Sequence, residues 1–182
     1  MRFQITTNRL ILKVLTPEFA PIVLDFYSRN SDIFEQYEPM LGENFYSLEH
    51  QKTLLSYEYK SALKLSNVRY FIFEKSNPNR VIGTLSYRNI VQPIYSSCTV
   101  GYKMDQEYWR MGYCKEALAT TIPMIQDELG IHRIEALVLP DNIASINLLE
   151  GLGFEKEGLL RSKIQINNEW KDHFIYSLIS SS

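Results

Sequence analysis

The stretch that most constrains the fold of this chain runs from Cys98 to Leu118. Cys98-Thr-Val-Gly-Tyr-Lys-Met104 is rich in β-branched and aromatic side chains and reads as a strand. A short polar turn, Asp105 to Arg110, follows, and Met111-Gly-Tyr-Cys-Lys-Glu-Ala-Leu118 opens a long amphipathic helix behind Gly112. The first N–H groups of a helix lack intrahelical partners, and the aligned peptide dipoles add roughly half a positive charge there. A glycine at the junction lets an oxygen approach the backbone, and Arg110 and Lys115 place charge beside it. The junction is therefore suited to an anion such as a pyrophosphate. An ordinary strand-to-helix turn has the same outline, so this stretch alone leaves both readings open.

On either side the apolar pattern changes period several times. Asn8 to Leu15 alternates as a strand, and Thr16-Pro17-Glu18 opens a helix with Thr16 as N-cap, apolar at Phe19, Ile22, Val23 and Phe26. Ser31 to Tyr46 carries Pro39, Gly42 and Asn44 and reads as a loop with short helical turns, a candidate substrate lid. Ser47 opens a second long helix, with Leu48, Leu54, Leu55, Tyr59, Ala62 and Leu63 near helical spacing. Arg69 to Glu74 and Val81 to Asn89 are strands joined by Ser76-Asn77-Pro78-Asn79. After the central stretch, the helix from Cys114 to about Leu129 holds Pro123, where a kink is expected, and ends at Gly130. A strand at Arg133 to Leu139, a short helix capped by Asn142, and a hairpin of Leu159 to Ile166 with Trp170 to Ile179 complete the chain. This order predicts an α/β (α+β) fold, a mixed sheet of about seven strands with about four helices on its faces.

Length and composition narrow the class. At 182 residues, residues 1–182 form one domain with room for a substantial core. The net charge of −2 offers no general field for nucleic acid. No apolar run approaches the ~20 residues needed to span a membrane, and the first residues lack the apolar segment of a signal peptide. Cys98 and Cys114 make no disulfide framework or zinc signature, so the expectation is a cytoplasmic protein with reduced thiols. His50, His132 and His173 show no ligand spacing, and no metal site is expected. Walker and Gly-x-Gly-x-x-Gly patterns are absent, and spacing supports no Ser-His-Asp or Cys-His arrangement.

Two segments raise the reading above a generic domain. Trp109-Arg-Met-Gly-Tyr-Cys-Lys-Glu-Ala117 resembles the acetyl-CoA phosphate loop of the GNAT acetyltransferases. Asn142-Ile-Ala-Ser-Ile-Asn-Leu-Leu-Glu-Gly-Leu-Gly-Phe154 resembles the next motif of that superfamily, Asn-x-x-Ser followed by Leu-Gly-Phe. Thr7-Asn-Arg-Leu-Ile-Leu12, His132-Arg-Ile-Glu-Ala136, and Glu169-Trp-Lys-Asp172 with Tyr176-Ser-Leu178 are similar to the ribosomal-protein N-acetyltransferase branch, the RimJ/RimL type. The match is ordered and runs over nearly the whole chain.

The resemblance implies the GNAT fold, a mixed, mostly antiparallel sheet splayed between its fourth and fifth strands. It implies acetyl-CoA as co-substrate, its pantetheine amides along the backbone of Tyr102, Lys103 and Met104. Pyrophosphate is expected on Arg110, Met111, Gly112, Tyr113, Cys114 and Lys115, with Asn142 and Ser145 facing the pantetheine arm. The family commonly has Gly where this chain has Arg110 and Gly or Ala at Cys114. Many members have a Tyr at the position of Leu149, proposed to protonate the leaving thiolate; Ser145 or water is left for that task. Glu135 is the candidate general base through water, with a solvated or ion-paired strand residue the alternative and Glu38 in the lid a rival base. Phe45, Tyr46, Tyr87 and Tyr102 could line an acceptor pocket, with core or sheet packing the default reading. The expected reaction is direct attack of a neutral amine on the thioester, with a backbone N–H of the central strand holding the oxyanion. An α-amine with a pKa near 8 needs only a modest base, which favours a protein or peptide N-terminus over lysine. Small amines (a polyamine, an amino acid, an antibiotic) and a catalytically weak CoA-binding module are the alternatives. A monomer or homodimer without nucleic acid or membrane partners is expected.

Overall fold

The structure, a computed structural model, describes residues 1–39 and 41–180. Strand alternation shows how the sequence dictates the layers. Along β3 (Val68–Glu74), Val68, Tyr70 and Ile72 enter one core while Phe71 and Phe73 enter another, because successive side chains leave a strand on opposite faces. Such a strand is apolar throughout because both faces of its sheet are covered. Helix α4 (Tyr113–Leu129) covers the first face with Leu118, Ile122 and Ile125. Helices α1 (Ala20–Arg29) and α3 (Leu48–Leu63) cover the second with Val23, Phe26 and Leu55. Full burial of side chains this size stabilises by roughly 1.5–3 kcal/mol each.

The sheet has eight strands in the order β1-β2-β3-β4-β5-β6-β8-β7. The others are β1 (Gln4–Thr6), β2 (Leu10–Lys13), β4 (Asn77–Val91), β5 (Ser97–Met104), β6 (Arg133–Val138), β7 (Glu155–Ile166) and β8 (Glu169–Ile179). All neighbours pair antiparallel except β5 and β6. These two run parallel and pair only from Ser97–Arg133 to Thr99–Glu135. Beyond Thr99 they diverge, and the side of β5 from Val100 to Met104 that faces β6 has no strand beside it. This is the splay expected of the fourth and fifth strands, here the fifth and sixth.

The count differs because β1 is three residues long and buries only Ile5, too little to show an alternation. Five α-helices replace the expected four. The added one, α2 (Ser31–Phe34), is a single turn directly after α1. Thr16 makes no side-chain cap; Pro17–Phe19 is a 3-10 turn, and α1 starts at Ala20. The β3–β4 turn is Lys75-Ser76 rather than residues 76–79, since Asn77 already pairs with Glu74. Leu48 and Leu63, on the apolar pattern of α3, are exposed. Helix α4 continues through Pro123, and α5 (Ile143–Glu150) is capped by Asn142, whose side chain accepts from the Ser145 N–H at 3.1 Å.

Candidate functional site

The gap between β5 and β6 opens into two cavities, one on each side of β5. The larger, about 500 Å³, runs under the start of α4 and holds Tyr102, Lys103, Met104, Arg110, Gly112, Tyr113, Cys114, Lys115, Asn142 and Ser145 in its wall. The other, about 330 Å³, lies on the α1/α3 side over Thr84, Ser86, Gly101 and Arg88. They meet where Tyr37, Glu38, Tyr102, Lys103, Asn142 and Ser145 border both. A small-molecule site of this kind is typically a cavity of a few hundred Å³ with few convergent polar groups.

At the head of α4 the backbone is arranged for an anion. Gly112 is the N-cap residue, sits in the left-handed region at φ 76°, and no side chain caps the helix there. The N–H groups of the first turn therefore remain available. Arg110 is also left-handed, at φ 62°, which accounts for the glycine common at this position in the resembling family. Two clamps hold the loop. Arg9 donates through Nη1 to the Met111 carbonyl (2.9 Å) and through Nε to Glu116 (2.7 Å), while Glu116 also accepts from the Thr7 hydroxyl. Asp105, buried at the end of β5, accepts from Arg29 Nε (2.8 Å) and from the Glu107 N–H (3.1 Å). Burial alone would raise the Asp105 pKa; hydrogen bonds and charge from Arg29 outweigh it and hold the carboxyl below its ordinary range.

Met111 differs from its neighbours. It is about half exposed, lies outside the wall of either cavity, and takes part through its carbonyl on Arg9. Burial pushes the Cys114 thiol up to about 12, so proximity to a helix N-terminus gives it no thiolate character. The Met104 carbonyl, expected to face an extended ligand, already accepts from the Trp109 indole at 3.0 Å.

Across the slot, the Tyr102 hydroxyl and Ser145 Oγ are 2.7 Å apart. Burial raises the Tyr102 pKa well above the ordinary value, against the lowering effect of the Ser145 hydrogen bond, so the phenol keeps its proton at neutral pH. Leu149 is fully buried in the core, so the usual tyrosine position offers no group to the slot. Sequence spacing gave no sign that Tyr102 joins Ser145, because the partners are 43 residues apart and come from β5 and α5.

On the α1/α3 side Glu38 is ion-paired with Lys103, whose ammonium lies 5.2 and 5.0 Å from the ring centres of Tyr27 and Phe34. His173, which shows no ligand spacing in the sequence, is buried in this cavity wall with Nδ1 3.1 Å from the Lys171 carbonyl. The tip of the β7–β8 hairpin closes toward the same cavity, Asn167 donating to the Glu35 carbonyl at 3.3 Å.

The structure sets Glu135 and most of the aromatic candidates apart from the two cavities. Glu135 lies outside both cavity walls: Arg133 Nε holds its carboxylate at 2.7 Å and also binds Glu157. Of the aromatic candidates, only Tyr102 reaches the site. Tyr87 is buried with its hydroxyl on Thr121 (2.9 Å), and Phe45 and Tyr46 stack beside Tyr27 over the second core. The segment 31–46, of which residue 40 lies outside the described residues, contributes Ile33, Phe34, Tyr37, Glu38 and Pro39 to the cavity walls.

Comparison with known proteins bears on the family and the fold. The family profile described as "Acetyltransferase (GNAT) domain" matches residues 9–155. The [ribosomal protein uS5]-alanine N-acetyltransferase of Escherichia coli is 30% identical over 179 residues, 97% of this chain and 91% of that protein. The crystal structure of ribosomal-protein-S5-alanine acetyltransferase from Vibrio fischeri superposes with a TM-score of 0.94 at 26% identity, covering 100% of this chain and 98% of the other. Mycobacterium smegmatis RimJ, solved in complex with CoA-disulfide, shares the fold at a TM-score of 0.87 and 22% identity, over 94% and 82% of the two chains.

Proposed function

Since this chain belongs to the GNAT acetyltransferase family, we propose that it transfers the acetyl group of acetyl-CoA to the free α-amine at a protein or peptide N-terminus. The observation that carries the proposal is the meeting of two cavities at the open side of β5, at Tyr102, Lys103, Asn142 and Ser145. A group transfer between two substrates needs both held in contact in one orientation, which is worth many powers of ten in effective concentration. The residues fit acetyl-CoA: the uncapped helix N-terminus behind Gly112 suits its pyrophosphate, and β5 from Val100 offers backbone to its amides. RimJ of M. smegmatis has the same fold and was solved with a CoA derivative. The full-length similarity to the uS5-alanine enzyme supports an N-terminal amine as the acceptor.

When bound, acetyl-CoA supplies an acetyl group activated as a thioester. Its acceptor amine, entering from the α1/α3 side, must be neutral to attack. At pH 7 roughly a tenth of an α-amine of pKa near 8 is neutral, against a few parts in ten thousand of a lysine. A weak base therefore suffices. Glu38, bordering both cavities, takes the amine proton through water. The N–C bond forms as the C–S bond breaks. Tyr102 and Ser145 share one hydrogen bond, which leaves one of the two hydroxyls to donate toward the departing sulfur, whose thiol pKa of about 8.5 makes its thiolate a tolerable leaving group.

Two peptides of equal length, differing only in which amine is free, test this reading. One carries a free N-terminus and no lysine; the other has a blocked N-terminus and one lysine. With acetyl-CoA, thiol release and mass gain are expected at least about tenfold faster on the first, following the neutral fractions above. Preference for the lysine peptide would refute the α-amine assignment.

A further inference from the structure

The acceptor cavity contains a cation that the reaction just described leaves unused. On the sheet face opposite α4, Arg69, Ser86 and Gly101 stand in one row across β3, β4 and β5, and Arg88 and Thr99 stand in the next. Gly101 and the hydroxyl residues keep this floor low. The Arg88 guanidinium folds back over Gly101, where a Cβ would come within 3.0 Å of its Nη2. Glycine there makes room for the cation to lie across the cavity floor.

The other two cations in the wall are already matched. Arg69 binds Glu58 at 2.9 Å and the Tyr27 hydroxyl at 3.1 Å, and Lys103 binds Glu38. The Arg88 guanidinium has neither a hydrogen bond nor an ion pair among the described residues. Three cations thus face two carboxylates, leaving one positive charge uncompensated. Burial and then the charge of Arg69 lower the Arg88 pKa, with Glu38 opposing, as expected of a guanidinium without a counter-ion. Glu135, on the same face and one strand further along that row, is held by Arg133. The Arg88 side chain is exposed at the mouth of this cavity, and its free planar fork matches both oxygens of a carboxylate at once.

We propose that the acceptor carries a carboxylate close to the reacting amine and that Arg88 binds it, the carboxylate being an acidic side chain at the second or third position of an N-terminal segment. This rests on the N-terminal reading above. Arg88 covers Gly101, one residue from Tyr102, where the cavities meet. An extended peptide rises ~3.3 Å per residue, so a chain with its amine at Tyr102 brings its second or third residue ~3–7 Å away, within reach of that guanidinium. A free amino acid would offer the same chemistry through its α-carboxylate, and the assay separates the two sources.

Initial rates with acetyl-CoA are measured on peptides beginning Ala-Asp, Ala-Asn and Ala-Lys with a common remainder, and on alanine against alaninamide. The wild-type enzyme is expected to favour Asp over Asn by about tenfold or more in kcat/KM, chiefly through KM, with Lys poorest. Arg88→Met should bring the Asp/Asn ratio to about one, and Arg88→Lys should restore part of it. Equal rates on Asp and Asn peptides, or a ratio that survives Arg88→Met, would overturn the inference. If no peptide reacts while alanine outruns alaninamide in an Arg88-dependent manner, the carboxylate site stands and the peptide reading falls. Absence of an Arg88-dependent carboxylate preference in both series overturns the site itself.

Discussion

Replacing Gly112 with valine tests the anion site where its geometry is most demanding. Gly112 sits at φ 76°, and a β-branched residue held there costs about 2 kcal/mol. Packing adds little, because the new Cβ would meet only Arg9 Nη2, at an ordinary 3.5 Å. Against the 5–15 kcal/mol stability typical of a domain, the variant stays folded. Binding suffers more. Relief of the strain requires φ to turn negative, which swings the following N–H groups of Tyr113 and Cys114 away from a shared focus. Hydrogen bonds to a charged phosphate contribute about 1.5–3 kcal/mol each, so losing two costs about 3–6 kcal/mol. At 1.4 kcal/mol per tenfold, the Kd for CoA should rise at least ~100-fold. Calorimetric titration with CoA measures this, alongside urea unfolding to verify the fold. Pantetheine, which has no pyrophosphate, should lose far less, and Gly112→Ala should fall between wild type and Gly112→Val. A folded valine variant with an unchanged Kd for CoA would refute the assignment of phosphate to this loop.

Three further outcomes follow from the site. Glu38→Gln should lower kcat by ~100-fold at pH 6–7, the low end of general-base effects, and recover toward pH 9 as the α-amine deprotonates unaided, while Glu135→Gln stays within about twofold; pH–rate profiles of both variants decide, and the opposite ranking would return the base to Glu135. Tyr102→Phe should reduce kcat about tenfold, the worth of one hydrogen bond to a developing charge, with the Kd for CoA moving less; an unaltered kcat would remove the hydroxyl from the leaving step. The Cys114 thiol, an acid whose folded pKa of about 12 lies above its unfolded value near 8.5, stays protonated in the native state. The folded form therefore loses stability as pH rises above about 8.5; iodoacetamide should label Cys114, half-buried in the cavity wall, more slowly than in urea, and equal rates would contradict the raised pKa.

Features with local causes were legible in the sequence. Gly112 before an amphipathic run, Asn142 before an apolar helix, and Asn167-Asn168 between two strands each carry their geometry in two or three residues. The pair formed by Tyr102 and Ser145, the burial of His173 in the acceptor wall and the capture of Glu135 by Arg133 are different in kind. Each depends on which strands are neighbours and on which face a side chain leaves, and a one-residue change of register would reverse it. Glu135 illustrates the difficulty. It lies on the correct face of a strand bordering the slot, yet Arg133, two residues away on the same face, reaches it first. Arg88 was equally hidden, because its position depends on Gly101 in the neighbouring strand.

The three-residue ladder between β5 and β6 also bears on how the protein survives in a cell. Among the described residues, those few rungs and the His132 N–H on the Ser96 carbonyl beside them are what join the five-strand and three-strand portions of the sheet at this seam through backbone bonds. An extended guest whose amides lie along Val100 to Met104 would supply the rungs that the polypeptide omits, becoming for a time part of the sheet. Such a guest stabilises the native state by RT ln(1 + [L]/Kd), about 2.7 kcal/mol at a hundredfold excess over Kd. The breathing of the two portions, and with it proteolytic lifetime, would then track the supply of the guest. Amide exchange along Val100–Met104 should slow on saturation, and so should cleavage by a protease.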